Sequence, residues 1–282
     1  MAKKKKIQEP EFINSPLNNP LPNYAVYVMS KSESFVVHLI SFVAGGLVAL
    51  IFYGNLFMID GFATLATYIS NIVVFVILGF GAIKFIVPMY KKRCLDKRRN
   101  ILKRQFNDML ESLAASFSSG SNVQMAFEAA LEDLKMQYSP KDYIVREMEE
   151  VINGMRQNIN VEIMLDNFGK RSGNEDIVSF ADVFSVCYRK GGNMNSVIQR
   201  THSIISEKMS VADEIETKLT SNKMQHNVMS VMPIVVVAML RFTNEAFAAN
   251  FATPVGVIVN TIAIGIFIGA YIYGTKIVDV KE

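Results

Sequence analysis

Residues 63–104 read ATLATYISNIVVFVILGFGAIKFIVPMYKKRCLDKRRNILKR. The first part, 63–87, is apolar enough to cross ~30 Å of hydrocarbon as a helix, a distance that takes about 20 residues. The second part, 91–104, carries eight Lys or Arg and one acid, Asp96. Basic residues beside a span stay on the cytoplasmic side. This stretch therefore predicts a helix that crosses a membrane and emerges inside the cell.

Three more stretches have the same character: 35–53 (FVVHLISFVAGGLVALIFY), 226–243 (HNVMSVMPIVVVAMLRFT) and 256–273 (GVIVNTIAIGIFIGAYIY). The segment 226–243 is marginal in length and also reads as a buried core helix. The span after it needs a partner to return the chain, which favours the membrane. Lys3, Lys4, Lys5, Lys6 and Lys31 precede the first span, and Lys276 and Lys281 follow the last. The connecting loops GNLFMIDGF and NEAFAANFATPV carry no Lys or Arg. The expected protein is multi-pass in the cell (inner) membrane, with both termini and residues 91–225 cytoplasmic.

The chain has 282 residues, of which 50% are hydrophobic, and a net charge of +3. A positive mean hydropathy of +0.23 is high for a soluble chain, and the apolar residues cluster towards the two ends. The small net charge gives no argument for nucleic acid. Cys94 and Cys187 lie far apart, and His38, His202 and His226 show no ligand spacing. Neither a disulfide framework nor a metal or cofactor site is expected. Trp is absent, so Phe and Tyr must supply any interfacial belt. MAKKKK is separated from the first apolar run by a Pro- and Asn-rich stretch, whereas a signal peptide places its apolar region close behind its charges. A retained anchor is expected instead. The predicted regions are an N-terminal segment 1–34, largely disordered or lying on the surface, a first hairpin 35–88, a helical domain 89–225, a second hairpin 226–275 and a tail 276–282.

Within the spans, Lys84 lies near the cytoplasmic end and can reach the interface, and His38 can sit neutral one turn inside. Arg241 and Glu245, one turn apart, are expected to pair at the outer interface. No ionisable cluster meets at mid-membrane. Ser41, Gly45 and Ala49 form a small-residue stripe on the first span, and Gly265 and Gly269 form G-x-x-x-G on the last. Such stripes let helix backbones approach closely.

The segment between the hairpins shows helical periodicity and no strand alternation. Leu102, Phe106, Met109, Leu110, Leu113 and Phe117 share one face. Gly120 stops that helix, and Asn122 caps the next, which carries Val123, Phe127, Ala130, Leu131 and Leu134. Ser139 and Pro140 start a third helix with Ile144, Met148, Val151, Ile152 and Met155. Asn160 opens a fourth with Ile163, Met164, Leu165 and Phe168. A fifth, from about 175, carries Ile177, Val178, Ala181, Phe184 and Val186. A sixth, from Asn193, carries Val197, Ile198, Ile204 and Ile205 and continues toward the third span. The fold class is therefore all-α, with four transmembrane helices as two hairpins bracketing a cytoplasmic bundle of about six helices. Glu147, Glu149 and Glu150 read as solvated carboxylates on polar faces.

No phosphate loop, dinucleotide fingerprint, nucleophile elbow or zinc-protease motif is present, and nothing argues for an enzyme. The basic run supports two readings: attraction to anionic lipid, or docking of an acidic partner through residues such as Arg98 and Arg99. At CYRKGGNMNSVIQ (187–199) a glycine takes φ > 0 to end one helix, Lys190 complements that helix's negative end, and Asn193 caps the next.

Three stretches resemble the TadB/TadC inner-membrane platform proteins, members of the type II secretion system F-domain family. RKGGNMNSVIQR looks like the family's Gly-Gly-Asn corner, here Gly191, Gly192 and Asn193. LTSNKMQHNVMSVMP resembles its polar helix running to a proline in the third span, here Pro233. FATPVG resembles its Thr-Pro-x-Gly turn, here Thr253, Pro254 and Gly256. The resemblance covers about 100–275. Only one copy of the cytoplasmic domain is present, and Arg189 and Lys190 stand where longer relatives often carry an acid; both departures favour the short Tad branch. The resemblance implies a non-enzymatic platform for a Tad/Flp-type pilus or related secretion system. Its partners would be a cytoplasmic assembly ATPase, pilin subunits and a second identical or paralogous platform chain, with contacts near Arg98, Arg99, Lys190, Gly191, Gly192 and Asn193. The rival readings are a membrane transporter or channel component, which needs polar groups converging at the midplane, and a receptor, which needs a larger outer surface.

Overall fold

A computed structural model describes residues 10–57, 64–251 and 253–278. About 82% of the described residues are helical. In order, the elements are β1 (Phe12–Asn14), β2 (Pro20–Pro22), α1 (Lys31–Tyr53), α2 (Leu65–Ser118), α3 (Val123–Gln137), α4 (Tyr143–Arg156), α5 (Val161–Ser172), α6 (Glu175–Lys190), α7 (Met194–Thr243), α8 (Glu245–Phe251) and α9 (Pro254–Val278). The helix after the second span and the helix before the third are not separate elements. They are the inner parts of α2 and α7, which run 54 and 50 residues. At 1.5 Å per residue α2 is about 80 Å long, well beyond the hydrocarbon thickness. Pro88 and Pro233 lie inside these helices without ending them.

The chain forms two compact units: Met1–Val28 with Lys91–Ser210, and Met29–Tyr90 with Val211–Glu282. In the first, the inner part of α2, α3 to α6 and the start of α7 share one core. Leu102, Phe106, Leu110, Phe127, Leu134, Ile144, Phe168, Phe184 and Ile198 are buried there. Phe180, which the sequence reading passes over, is also buried, with its ring 5.4 Å from that of Phe106. Conversely, Ile163, Val178, Val186 and Ile204 are exposed. They flank the buried stripe rather than belonging to it.

The helix boundaries follow local chemistry. Gly120 takes φ 86°, and the Asn122 carboxamide accepts from Met125 N–H at 2.9 Å. The start of α4 lies three residues later than Ser139 suggests. Ser139–Asp142 forms a turn, with Asp142 N–H donating to the Ser139 carbonyl at 2.9 Å, and Asp142 precedes the helix.

The N-terminal expectation needs a larger correction. Residues 10–28 are not disordered. β1 and β2 pair antiparallel, with Ile13 opposite Leu21, and Ser15, Leu21, Asn23 and Tyr24 are buried against the helices. Residues 1–9 lie outside the described residues.

The second unit holds α1, the N-terminal part of α2, the C-terminal part of α7, α8 and α9. Among the described residues, four helices are long and apolar enough to cross a membrane, with mean hydropathies of 2.5, 2.5, 1.4 and 2.2 over their most apolar windows. Only 17, 11, 0 and 6% of those windows is buried by the protein itself. Apolar helices that the chain leaves this uncovered require lipid around them, so this is a membrane protein.

Close contacts pair α1 with α2. A Cβ on Gly45 would lie 2.4 Å from the Ala82 Cβ, Gly46 lies under the Phe75 ring, and Phe42 meets Phe75 edge-on at 5.3 Å. Ser41 and Ala49, one turn either side of Gly45, are buried. By contrast, a Cβ on Gly265 or Gly269 would meet nothing within 4 Å. The predicted outer loop contains α8.

The expected pairing of Arg241 with Glu245 falls on a side chain outside the described residues. The Arg241 guanidinium donates to the carbonyls of Leu50, Ile51 and Gly54 at the end of α1. A cation there satisfies carbonyls that a helix C-terminus leaves without partners. Asn260 Nδ2 adds a bond to the Phe52 carbonyl at 2.7 Å.

Candidate functional site

The glycine corner follows its sequence logic. α6 ends at Lys190, and Gly191 takes φ 69°. Gly192 N–H donates to the Cys187 carbonyl at 2.9 Å, and the Asn193 carboxamide accepts from Ser196 N–H at 3.1 Å. Gly192 is required for space as well, since a Cβ there would sit 2.7 Å from Cys187 Sγ. The corner is tied to the end of α2, where Ser118 Oγ donates to Asn195 Oδ1 at 3.1 Å and accepts from Gln199 Nε2 at 3.0 Å. Lys190, Gly191, Gly192 and Asn193 are all exposed.

Arg98 and Arg99 are not an open surface. Arg98 donates to the Val26 carbonyl at 3.2 Å and lies 4.9 Å from the centre of the Tyr24 ring. Arg99 donates to the Ala25 carbonyl at 3.1 Å. Both hold the chain's own N-terminal segment. Gly173, at φ 62°, ends α5 beneath it; a Cβ there would lie 2.8 Å from the Ala25 Cα.

The densest polar arrangement lies under the same segment. Glu147 and Arg171 face each other through two bonds, Nη1 to Oε1 at 2.7 Å and Nη2 to Oε2 at 2.6 Å, with both side chains 2% exposed. Tyr24 Oη donates to Glu147 at 2.9 Å, and Tyr24 N–H donates to the Arg171 carbonyl at 2.8 Å. Arg171 also donates to the Pro22 carbonyl at 3.3 Å and to Asn167 Oδ1 at 2.7 Å. One turn along α4, Glu150 accepts from Ser15 Oγ at 2.5 Å and from Asn19 Nδ2 at 3.1 Å. The expectation that Glu147 and Glu150 are solvated is therefore wrong. They point inward, and the N-terminal segment covers them. Glu149 does face outward, paired with Lys135 at 2.6 Å.

Burial first, and then the Glu147 carboxylate, push the Tyr24 phenol well above its ordinary range. A phenol whose pKa is raised on folding contributes stability that is complete below its unfolded value, 10.0, and declines as pH rises past it. Docking of residues 10–28, followed by amide exchange, is therefore expected to weaken above pH 10.0. Tyr24→Phe should flatten that dependence; an unchanged slope would assign it to another group.

A concavity of about 530 Å³ lies between α3 and α4, lined by Glu128, Glu132, Lys135, Glu149 and Arg156. Its pairs, Lys135–Glu149 and Arg156–Glu128, are surface contacts that add little stability. Among the described residues, no three His, Cys, Asp or Glu side chains converge to hold a metal ion.

No profile of a known protein family, no curated protein and no solved structure matches the chain.

Proposed function

We propose that the protein is an inner-membrane platform of a Tad-type pilus or related secretion machine, coupling a separate cytoplasmic assembly ATPase to pilin extraction and polymerisation. The observation that carries this reading is the order of elements. Two pairs of lipid-requiring helices stand on either side, in sequence, of a helical unit, and α2 and α7 each contribute to both units without a break. The resemblance of the Gly191–Gly192–Asn193 corner, the run to Pro233 and the Thr253–Pro254–x–Gly256 turn to TadB/TadC proteins supports it. The basic run after the second span favours a cytoplasmic helical unit with both termini inside. The exposed corner residues Lys190 to Asn193 then offer the ATPase a contact. Nucleotide-driven movement of the ATPase shifts the platform between two states only if it binds one of them better. A single helical domain per chain calls for a second identical or paralogous platform chain to complete the assembly.

The reading is tested by cross-linking. A cysteine introduced at Lys190 should capture the assembly ATPase in intact membranes, and labelling should find residues 91–225 inside the cell. Labelling from outside, or ATP turnover by the purified chain alone, would overturn it.

The open glycine face of α9 gives a separate expectation. Gly265→Leu with Gly269→Leu starts from open space, since a Cβ at either position meets nothing within 4 Å. It should leave the melting temperature of the monomer unchanged while reducing the mass of the assembly in detergent. Unchanged mass removes α9 from the interface between chains.

A further inference from the structure

We propose that α2, α4 and α5 form a peptide-binding seat, occupied in cis by residues 10–28, from which this segment is released as a unit. The proposal stands independently of the platform reading.

The chemistry of the two partners is complementary in an unusual way. Residues 12–30, FINSPLNNPLPNYAVYVMS, contain no charged side chain. The seat beneath them is built from five charged side chains: Arg98, Arg99, Glu147, Glu150 and Arg171. Most polar contacts join a neutral group of the segment to a charged group of the seat; exceptions are Asn167 Nδ2 to the Asn14 carbonyl and Tyr24 N–H to the Arg171 carbonyl. Ser15 and Asn19 donate to Glu150, and Tyr24 donates to Glu147. The carbonyls of Pro22, Ala25 and Val26 accept from Arg171, Arg99 and Arg98. Hydrogen bonds to charged groups are the strong ones, and they fix register without large apolar burial. Leu21 and Tyr24 are the segment's buried apolar anchors, while Phe12 and Val28 remain 52% and 49% exposed.

Two physical consequences favour release as a unit. When the segment leaves, the seat's charges regain water, which offsets part of what is lost as Tyr24 leaves the shared core. Pro10, Pro16, Pro20 and Pro22, four of the eight prolines in the chain, lie in this segment. Proline limits the conformations of the free segment, which lowers the entropic cost of binding again. The ligand class is therefore an extended, proline-rich peptide, uncharged after Glu11, presenting a hydroxyl, a carboxamide and a tyrosine at fixed spacing.

The test uses the full chain in detergent micelles and a fluorescent synthetic peptide spanning Pro10–Val28. Ser15→Ala with Asn19→Ala removes the contacts to Glu150 and leaves the Glu147–Arg171 pair in place. In this variant, amide exchange over residues 13–26 should accelerate about tenfold or more, while core amides of α4 and α5 keep their protection. The labelled peptide should bind the variant saturably and bind the parent chain far less, because there the seat is filled. A peptide carrying Tyr24→Ala should bind neither. The proposal is overturned if segment and core amides accelerate together, if the peptide fails to bind the loosened variant, or if it binds parent and variant equally.

Discussion

Arg171→Met is expected to destabilise the first unit by about 3–5 kcal/mol, the scale for breaking a buried ion pair from one side. The Arg171 side chain is 2% exposed and donates to Glu147 twice, to Asn167 and to the Pro22 carbonyl. Methionine fills part of the volume and supplies none of these donors. Glu147 is then left as a buried carboxylate whose remaining side-chain partner here is the Tyr24 hydroxyl. A carboxylate in that position has to be hydrated, protonated or expelled, and each route costs more than the bonds themselves. Removing both charges and the hydroxyl, as Arg171→Met with Glu147→Leu and Tyr24→Phe, should recover most of the loss, because the desolvation of both ions disappears too. Denaturant melting of the purified chain, with exchange of core amides to assign the transition to this unit, measures the effect. A loss below about 1 kcal/mol would be that of a solvent-screened surface pair and would contradict the burial.

The second large effect is expected in the membrane. Gly45→Leu places a side chain where even a Cβ would lie 2.4 Å from the Ala82 Cβ and 3.3 Å from the Leu78 carbonyl oxygen. Both obstacles belong to a helix, so neither moves aside without separating α1 from α2. Separation also removes the contacts of Phe42 with Phe75 and Phe80, each pair 5.3 Å between ring centres. Helices in lipid associate through such packing, because no water is displaced to drive them together. The overpacking cost is about 1–3 kcal/mol before the ring contacts are lost. The melting temperature in detergent should therefore fall clearly for Gly45→Leu and stay level for Gly265→Leu. Equal behaviour of the two variants would mean that the α1–α2 contact does not set the stability of the hairpin.

Which residues were legible in the sequence follows from how local their causes are. The caps at Asn122 and Asn193 and the left-handed glycines at 120 and 191 depend on a few neighbouring residues, and the structure has each where the sequence puts it. The apolar stripe of α2 was readable for the same reason. Glu147 and Glu150 were not. On α4 they look like any carboxylates beside Glu149, and what buries them comes from residues more than 120 positions away, Tyr24 and Ser15. The available signal was the long uncharged run at 12–30, which composition alone reads as disorder. The contacts of Arg98 and Arg99 were hidden for the same reason. A basic run beside a span suggests lipid or a partner, and the structure gives these two cations to the backbone of the N-terminal segment. Arg241 was found as a polar group at the end of a span, and the structure gives it the carbonyls at the end of α1, which are distant in sequence.

The prolines inside α2 and α7 leave a trace in the backbone. A proline supplies no N–H, so the carbonyl four residues earlier, at Lys84 in α2 and at Met229 in α7, loses its usual intrahelical donor. Each long rod thus has one missing rung within its apolar stretch, and the bending stiffness of an α-helix is lowest at such a gap. Thermal flexing of α2 and α7 should therefore concentrate at these two points, leaving the segments on either side straight.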